Sequence, residues 1–200
     1  MNSRNIPIGK AEIQVNKFLS IGALKKLNAD ILYYPLDNAV CIRYRHQLNT
    51  YHLFLSQFGR QSFIDGLNNY KESYEARELD TQNRKTIRSF GVVQGYLYWQ
   101  MSNFTVQSKS SVNVSIGYQF KDNSPFFTIR QERAEDKSNV TDEENRISTV
   151  VTMFFTRAQA AELAVLLEQD FLNSIAMPPS AAKKEQQPPP PPVDPDRDEY

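Results

Sequence analysis

The chain has 200 residues with 23 Lys plus Arg and 23 Asp plus Glu, so its formal charge at neutral pH is zero. That length allows one domain with a substantial core, and no apolar run approaches the roughly 20 residues that a transmembrane helix needs. The N-terminal sequence has no apolar signal core, and the single cysteine, Cys41, excludes an internal disulfide framework. We therefore expect a cytoplasmic protein with no membrane association.

The composition changes abruptly near residue 178. Eight of the eleven prolines and none of the seven glycines lie in residues 178–200. The five consecutive prolines at 188–192 favour an extended polyproline II shape that cannot enter a packed core. We interpret residues 1–177 as one folded domain and residues 178–200 as a disordered tail.

The zero total charge conceals an uneven distribution. Residues 1–130 contain 16 basic and 9 acidic side chains, whereas residues 131–145 contain 6 acidic and 2 basic ones. The tail adds 5 acidic and 3 basic side chains. The sequence therefore combines a basic folded region with an acidic end, and residues 131–145 are expected to form a solvated loop between strands.

In the first half, residues 11–27 fit either a strand or a helix broken by Gly22, and residues 30–36 resemble a short strand. Residues 39–46 alternate strictly, with Cys41, Arg43 and Arg45 on one face, and an apolar stretch at 51–56 completes a probable hairpin. A helix is predicted over 57–79 from an apolar stripe at helical spacing, although Gly66 weakens it by about 1 kcal/mol. That stripe comprises Phe63, Leu67, Tyr70 and Tyr74.

Strands dominate the second half, where β-branched and aromatic residues are abundant. They are predicted at 86–93, 95–106, 111–120, 126–133 and 146–155. Thr156 and Gln159 then form a capping box that begins the last helix. Its apolar stripe predicts packing on the sheet, and Pro178 ends it. The stripe runs through Ala160, Leu163, Ala164, Leu167 and Phe171.

The predicted fold class is α+β, with antiparallel β-sheets and two helices in the order strands, helix, strands, helix. The two halves share this plan without a residue-level repeat. The plan resembles the Whirly and positive-cofactor-four family, in which two sheets present cationic and aromatic faces to single strands. In that family the helices mediate oligomers, so the resemblance implies a homo-oligomer.

Recognisable catalytic motifs are absent from the sequence, including phosphate-binding loops, dinucleotide fingerprints and nucleophile elbows. Cys41, His46 and His52 lie close in sequence, but they lack a clear fourth metal ligand. Cys41 and His46 would also point to opposite faces of one strand, which favours ordinary hairpin residues. We therefore expect no enzyme activity, cofactor or metal.

Basic and aromatic residues interleave along the body, which is the combination that single-stranded nucleic acid needs. Cations follow the phosphates, and flat rings stack on unpaired bases. The candidate nucleic-acid-binding residues are Arg43, Arg45, Phe54, Arg84, Lys85, Arg88, Tyr96, Tyr98, Trp99, Lys109 and Lys121. The competing interpretation makes Arg43 and Arg45 a plain solvent face and Trp99 a core residue.

A basic β-rich body, a proline-rich linker and an acidic end that closes on an aromatic residue resemble phage and bacterial single-stranded DNA-binding proteins. The matching residues are Asp194, Asp196, Asp198, Glu199 and Tyr200. The resemblance implies that this tip docks onto replication or recombination proteins and competes with DNA for the basic groove. A merely solubilising tail is the alternative interpretation.

Together these observations predict a sequence-tolerant protein that protects single-stranded DNA, with RNA also admitted as a ligand, in the cytoplasm of a bacterial or phage-infected host cell. The alternative is a non-enzymatic structural or adaptor protein, such as a virion component or assembly factor. It would act by self-association through sheet edges and the final helix.

Overall fold

The computed structural model describes residues 5–16, 23–80, 88–101, 107–121, 123–138 and 145–176. The strands in these ranges are β1 (Ile6–Asn16), β2 (Leu24–Tyr34), β3 (Ala39–His46), β4 (Asn49–Leu55), β5 (Arg88–Met101), β6 (Ser108–Lys121), β7 (Ser124–Gln131) and β8 (Val151–Phe155). The helices are α1 (Gln57–Glu75), α2 (Arg157–Leu167) and α3 (Gln169–Ala176), and a 3₁₀ turn spans Pro35–Asp37. The predicted tail, 178–200, lies outside the described residues.

The strands form one closed antiparallel barrel in sequence order, β1 to β8. The α+β prediction of Whirly-like sheets is therefore wrong: the described protein is mostly β, with three short helices. Two contacts create the barrel. Strand β4 pairs with β5 from Asn49–Met101 to Phe54–Tyr96, and β8 pairs with β1 at Phe154–Gln14 and Met153–Val15.

Closure has a consequence for self-association. Each strand of the described barrel has a neighbour on both sides. Sheet edges are the usual route by which strands add another chain. In the described barrel the strand edges pair within the chain, with β8 and β1 paired at two positions, and self-association of a structural or adaptor protein stays a prediction.

Several strand and helix predictions are confirmed in position. The hairpin predicted at 39–56 is β3 and β4, joined by a turn in which Gln47 has a φ of 56°. The helix predicted at 57–79 is α1. The separate strands predicted at 86–93 and 95–106 are one strand, β5, and the ambiguous start of the chain is occupied by β1 and β2.

The core lies inside the barrel, and both longer helices pack against it. Alternate residues of the strands point inward, as Val40, Ile42 and Tyr44 of β3 do, and these three are buried. Phe63 of α1 meets the rings of Phe127 and Phe155 edge-on, at centroid distances of 5.2 and 6.4 Å. The apolar sides of the helices are thus used for folding. No helix in the described ranges is long and apolar enough to cross a membrane.

Gly66 permits the close approach of α1 to β6. A Cβ atom at this position would lie 2.7 Å from Cγ2 of Ile116, well inside van der Waals contact. The glycine that weakens the helix by propensity therefore strengthens its packing on the barrel, which explains why the helix tolerates it.

The same local device begins both helices that follow a strand. The hydroxyl of Ser56 accepts a hydrogen bond from the Gly59 amide, and that of Thr156 accepts one from the Gln159 amide, each at 3.3 Å. The predicted capping box is confirmed, because the Gln159 side chain also accepts from the Thr156 amide at 2.9 Å. Each cap satisfies a helix amide that otherwise has no partner.

The last helix breaks where the sequence predicted continuity. Glu168 is extended, with ψ of 135°, and separates α2 from α3. Arg60 of α1 is buried here, and its Nε donates to the Leu167 carbonyl at 3.1 Å. Its terminal nitrogens donate to the carbonyl and side-chain oxygens of Asn38 and to Gln169. One arginine thereby joins α1, the β2–β3 turn and the α2–α3 junction.

The acidic stretch after β7 is partly folded rather than fully solvated, contrary to the sequence expectation. Glu135 forms a β-bridge with Ile147, and Asp136, Asn145 and Ser148 are buried. Asp136 accepts a hydrogen bond from the backbone amide of Lys109 at 2.9 Å. The loop therefore lies against the start of β6. Residues 139–144 are outside the described ranges.

Candidate nucleic-acid interface

Six polar or aromatic side chains form a line across the outside of the barrel. Directly opposite residues on antiparallel strands point to the same side, so strand register defines the line. It runs Lys10, Asp30, Arg43, His52, Tyr98, Lys109 across β1 to β6, and we call it the cationic row. Lys10, Arg43 and Lys109 are exposed. The row therefore presents cations on strands that are distant in sequence.

A second line, the aromatic row, lies beside the first. It runs Leu32, Cys41, Phe54, Tyr96, Ser111 across β2 to β6. Leu32, Cys41 and Phe54 are buried and form a small apolar cluster outside the barrel. Tyr96 and Tyr98 are half-buried and pack against it.

The rings of this cluster contact one another edge to face. Phe54 lies 5.2 Å from Tyr34 and 5.4 Å from Tyr98 between ring centroids, and Tyr96 lies 5.3 Å from Tyr98. Such pairs hold each ring in a fixed orientation. The two half-buried tyrosines are therefore preorganised and partly accessible on the same surface as the cationic row.

Six of the predicted site residues come together on this surface: Arg43, Arg45, Phe54, Tyr96, Tyr98 and Lys109. Arg45 is exposed and stands opposite Thr50, two residue pairs along the strands from the Arg43–His52 pair of the cationic row. Phe54 is only 6% exposed, so it supports the tyrosines from beneath. Six of the eleven predicted residues therefore lie on one surface, and strand register determines which of them stand opposite each other.

Three predicted site residues lie elsewhere. Trp99 points inward, is 1% exposed and donates its indole N–H to the Asn145 carbonyl at 2.7 Å, so the core interpretation of this residue is correct. Arg88 pairs with Asp80 at the start of β5. Lys121 lies over the Phe154 ring, 5.1 Å from its centroid, on the β6–β8 side of the barrel.

The remaining predicted site residues lie in two segments outside the described ranges. Arg84 and Lys85 lie in 81–87, outside the described residues. The tail residues Asp194, Asp196, Asp198, Glu199 and Tyr200 also lie outside them.

An ion pair lies within the cationic row. Arg43 donates to Oδ2 of Asp30 through Nε at 3.2 Å and through a terminal nitrogen at 2.8 Å. Both side chains are about 40% exposed, at 44% and 40%, so the pair contributes little to stability. A guanidinium carries five N–H donors, so Arg43 can contact a phosphate while it keeps Asp30. The two bonds hold the Arg43 guanidinium beside Asp30.

Cys41 is the cysteine of this surface, and its environment does not activate the thiol. Burial raises the pKa of the Cys41 thiol to about 12, against the opposing effect of Arg43, so the thiol stays protonated at neutral pH. A protonated thiol is a poor nucleophile and a poor metal ligand. Within the described ranges, no cluster of three or more His, Cys, Asp and Glu could hold a metal ion.

Sequence reasoning missed Lys10, Asp30 and Tyr34 as members of this surface. Lys10 and Asp30 join it because they stand opposite each other in the β1–β2 register, and Tyr34 because its ring packs on Phe54. The alternation of β3 indicated which residues share a face within that strand. It carried no information about which residues of β1 and β2 would lie beside them.

Both histidines of the chain are half-buried, and burial lowers the pKa of each. Lys25 lowers the pKa of His46 further, and Arg43 lowers that of His52. A histidine with a folded-state pKa below its ordinary value binds protons more weakly in the folded than in the unfolded chain. The free energy of unfolding therefore has its full value above a pH of about 6.5. It decreases as the pH falls below that value and the unfolded chain binds protons more readily than the folded one.

We therefore expect the free energy of unfolding, measured by urea denaturation, to fall between pH 7.5 and pH 5.5. A His46→Gln/His52→Gln variant should show a smaller fall, because neither glutamine titrates. Equal pH dependence in the two proteins would contradict the assignment of this effect to the histidines.

In the described ranges the protein is a closed eight-stranded antiparallel barrel. Its helices pack on the core, and its outer surface carries cationic and aromatic side chains. The sequence family described as "Uncharacterised Treponema protein" matches residues 5–174. The chain belongs to this family. No curated protein and no solved structure matches it significantly.

Proposed function

We propose that this protein binds single-stranded nucleic acid through the cationic and aromatic rows, as a binding protein rather than an enzyme. The observation that carries the proposal is the adjacency of three exposed cations and two half-buried tyrosines on one continuous surface of β1–β6. Cations neutralise phosphates, and tyrosine rings stack on unpaired bases whatever their sequence. The expected ligand is single-stranded DNA, with RNA as the alternative strand.

Single strands suit this surface better than duplex for a geometric reason. Bases in a duplex are stacked on one another, so tyrosine faces cannot reach them without unpairing. Duplex readers instead insert a helix or a β-ribbon into the major groove. The two rows lie on one continuous surface of strands β1 to β6, and neither row is carried by a helix or by an isolated two-stranded ribbon.

The salt dependence of binding tests this proposal. Lys10, Arg43, Arg45 and Lys109 offer three to four phosphate contacts, and each released counterion contributes about 0.7 to the logarithmic slope for single strands. Affinity for a single-stranded oligonucleotide should therefore fall about 20- to 50-fold between 50 and 200 mM salt. Fluorescence anisotropy with a labelled strand, and with its duplex as the control, measures both. Equal affinity for duplex, or no binding at 50 mM salt, would contradict the proposal.

The proposal extends to the acidic end of the chain. Residues Asp194, Asp196, Asp198, Glu199 and Tyr200 would dock replication or recombination proteins in the cytoplasm of a bacterial or phage-infected cell. The chain between Ala176 and Asp194 is long enough to return to the barrel, since an extended chain covers about 3 Å per residue. The acids would then compete with phosphate for the cationic row.

Deleting residues 194–200 should leave the fold intact and should raise, or leave unchanged, the affinity for single strands. The gain should be greatest at low salt, where the charges are least screened. Replacing the same acids by Asn and Gln, with Tyr200 retained, separates charge from length. Markedly weaker binding by the shortened chain would mean that the end belongs to the binding site, and the competition would be disproved.

A further inference from the structure

A pocket opens beside the aromatic row, at the end of the barrel where α1 begins. Its volume is about 310 Å³. Its walls include the Phe54 and Tyr96 side chains, which belong to the aromatic row. Its polar lining comprises Asp37, Ser56, Gln94 and Ser111. A strand bound along the cationic row would therefore pass an aromatic-walled recess that contains hydrogen-bonding groups of both kinds.

The polar groups that line the recess differ in whether they donate or accept hydrogen bonds. The Asp37 carboxylate only accepts hydrogen bonds and offers about four lone-pair positions, so it can serve more than one donor. The Gln94 amide, on an exposed outward position of β5, can donate and accept. Asp37 belongs to the 3₁₀ turn and Gln94 to β5, so two separate elements supply these groups to the recess.

We propose that this recess is a subsite for one nucleobase and that it favours bases with an exocyclic amino group over uracil and thymine; the inference rests on the proposed function. With one face of the base against Tyr96, an amino group donates to the Asp37 carboxylate. The neighbouring ring nitrogen accepts from the Gln94 amide. Carboxylates accept from the cytosine amino group in the same way in other protein–nucleic acid complexes.

Uracil fits the same recess poorly. Its O4 carbonyl occupies the position of the cytosine amino group and would face the carboxylate, so two acceptors would meet without a proton between them. Its N3–H can still donate to the Gln94 amide oxygen once the amide turns over, so the discrimination rests on Asp37. Cytosine and uracil have the same ring size, so the difference between them isolates hydrogen bonding from stacking.

The test compares oligo(dC) with oligo(dU) of equal length at pH 8, by fluorescence anisotropy with the full chain. The wild type should bind oligo(dC) about tenfold more tightly. Asp37→Asn should remove or reverse this preference, because an amide can donate to O4. Gln94→Ala should weaken binding of both strands and keep the preference for oligo(dC), because the exposed amide can pair with either base. Asp65→Asn, which removes an exposed acid on α1, is the matched control and should change neither.

The outcomes separate the two proposals. Equal binding of oligo(dC) and oligo(dU) by the wild type, with steep salt dependence, overturns the subsite and leaves single-strand binding intact. A preference that survives Asp37→Asn also overturns the subsite. Absence of binding to either strand at low salt overturns the subsite together with the proposed function.

Discussion

Replacing Leu163 by aspartate should unfold the protein or destabilise it by about 4 kcal/mol or more. Leu163 lies on α2 with no solvent exposure, inside the cluster that joins the helices to the barrel. Aspartate there would bury an unpaired carboxylate and remove the apolar contacts of the leucine. Circular dichroism during urea denaturation measures the loss, and an insoluble product would be consistent with it.

Val165→Asp is the matched control for this prediction. Val165 lies two residues further along α2, and its side chain is 52% exposed. The same charge is introduced into the same helix, so net charge changes alike in the two variants. The control should change stability by no more than about 0.5 kcal/mol. A Leu163→Asp protein that melts cooperatively with the stability of the control would show that α2 does not pack on the barrel as described.

Replacing Arg43 and Arg45 together by alanine should weaken single-strand binding and leave the fold unchanged. Both side chains are exposed on the outside of β3, and the ion pair of Arg43 with Asp30 contributes little. Loss of two phosphate contacts should lower the logarithmic salt slope by about 1.4. Anisotropy titrations at several salt concentrations measure the slope, and thermal melting checks the fold.

The control for charge alone is Lys71→Ala with Arg157→Ala. These two cations lie on α1 and α2, away from the two rows, and Arg157 stacks on the Tyr74 ring. The control removes the same net charge and should keep the wild-type slope. If both double variants lose affinity equally, binding depends on overall charge rather than on the outer surface of β1–β6. If the Arg43 and Arg45 variant binds normally, the cationic row is not the site.

The sequence by itself determined the local features of this protein. The alternation of residues 39–46 assigned Cys41, Arg43 and Arg45 to one face, and all three point outward in the structure. Thr156 and Gln159 marked the start of a helix, and the capping box is present. These features depend on neighbours within a few residues, where backbone geometry links side-chain direction to sequence spacing.

Tertiary structure decided which of these surfaces meet. The pairing of β4 with β5 brings Tyr98 beside His52, and the pairing of β1 with β2 brings Lys10 beside Asp30. The closure of β8 on β1 makes one barrel of strands that the sequence suggested would form Whirly-like sheets. A period of two residues shows that a strand has two faces. It does not determine which strand pairs with it or in which register.

Trp99 and Arg60 are buried by elements that are distant in sequence, which local sequence patterns could not indicate. Trp99 and Tyr98 are adjacent in sequence, yet Trp99 enters the core and Tyr98 reaches the outer surface, because consecutive strand residues point to opposite faces. Arg60 resembles an ordinary surface residue of a helix in sequence, but long-range bonds to Asn38, Leu167 and Gln169 make it a buried junction. Sequence spacing determined the direction of these side chains relative to their own element, and only the packing of distant elements determined what lay in that direction.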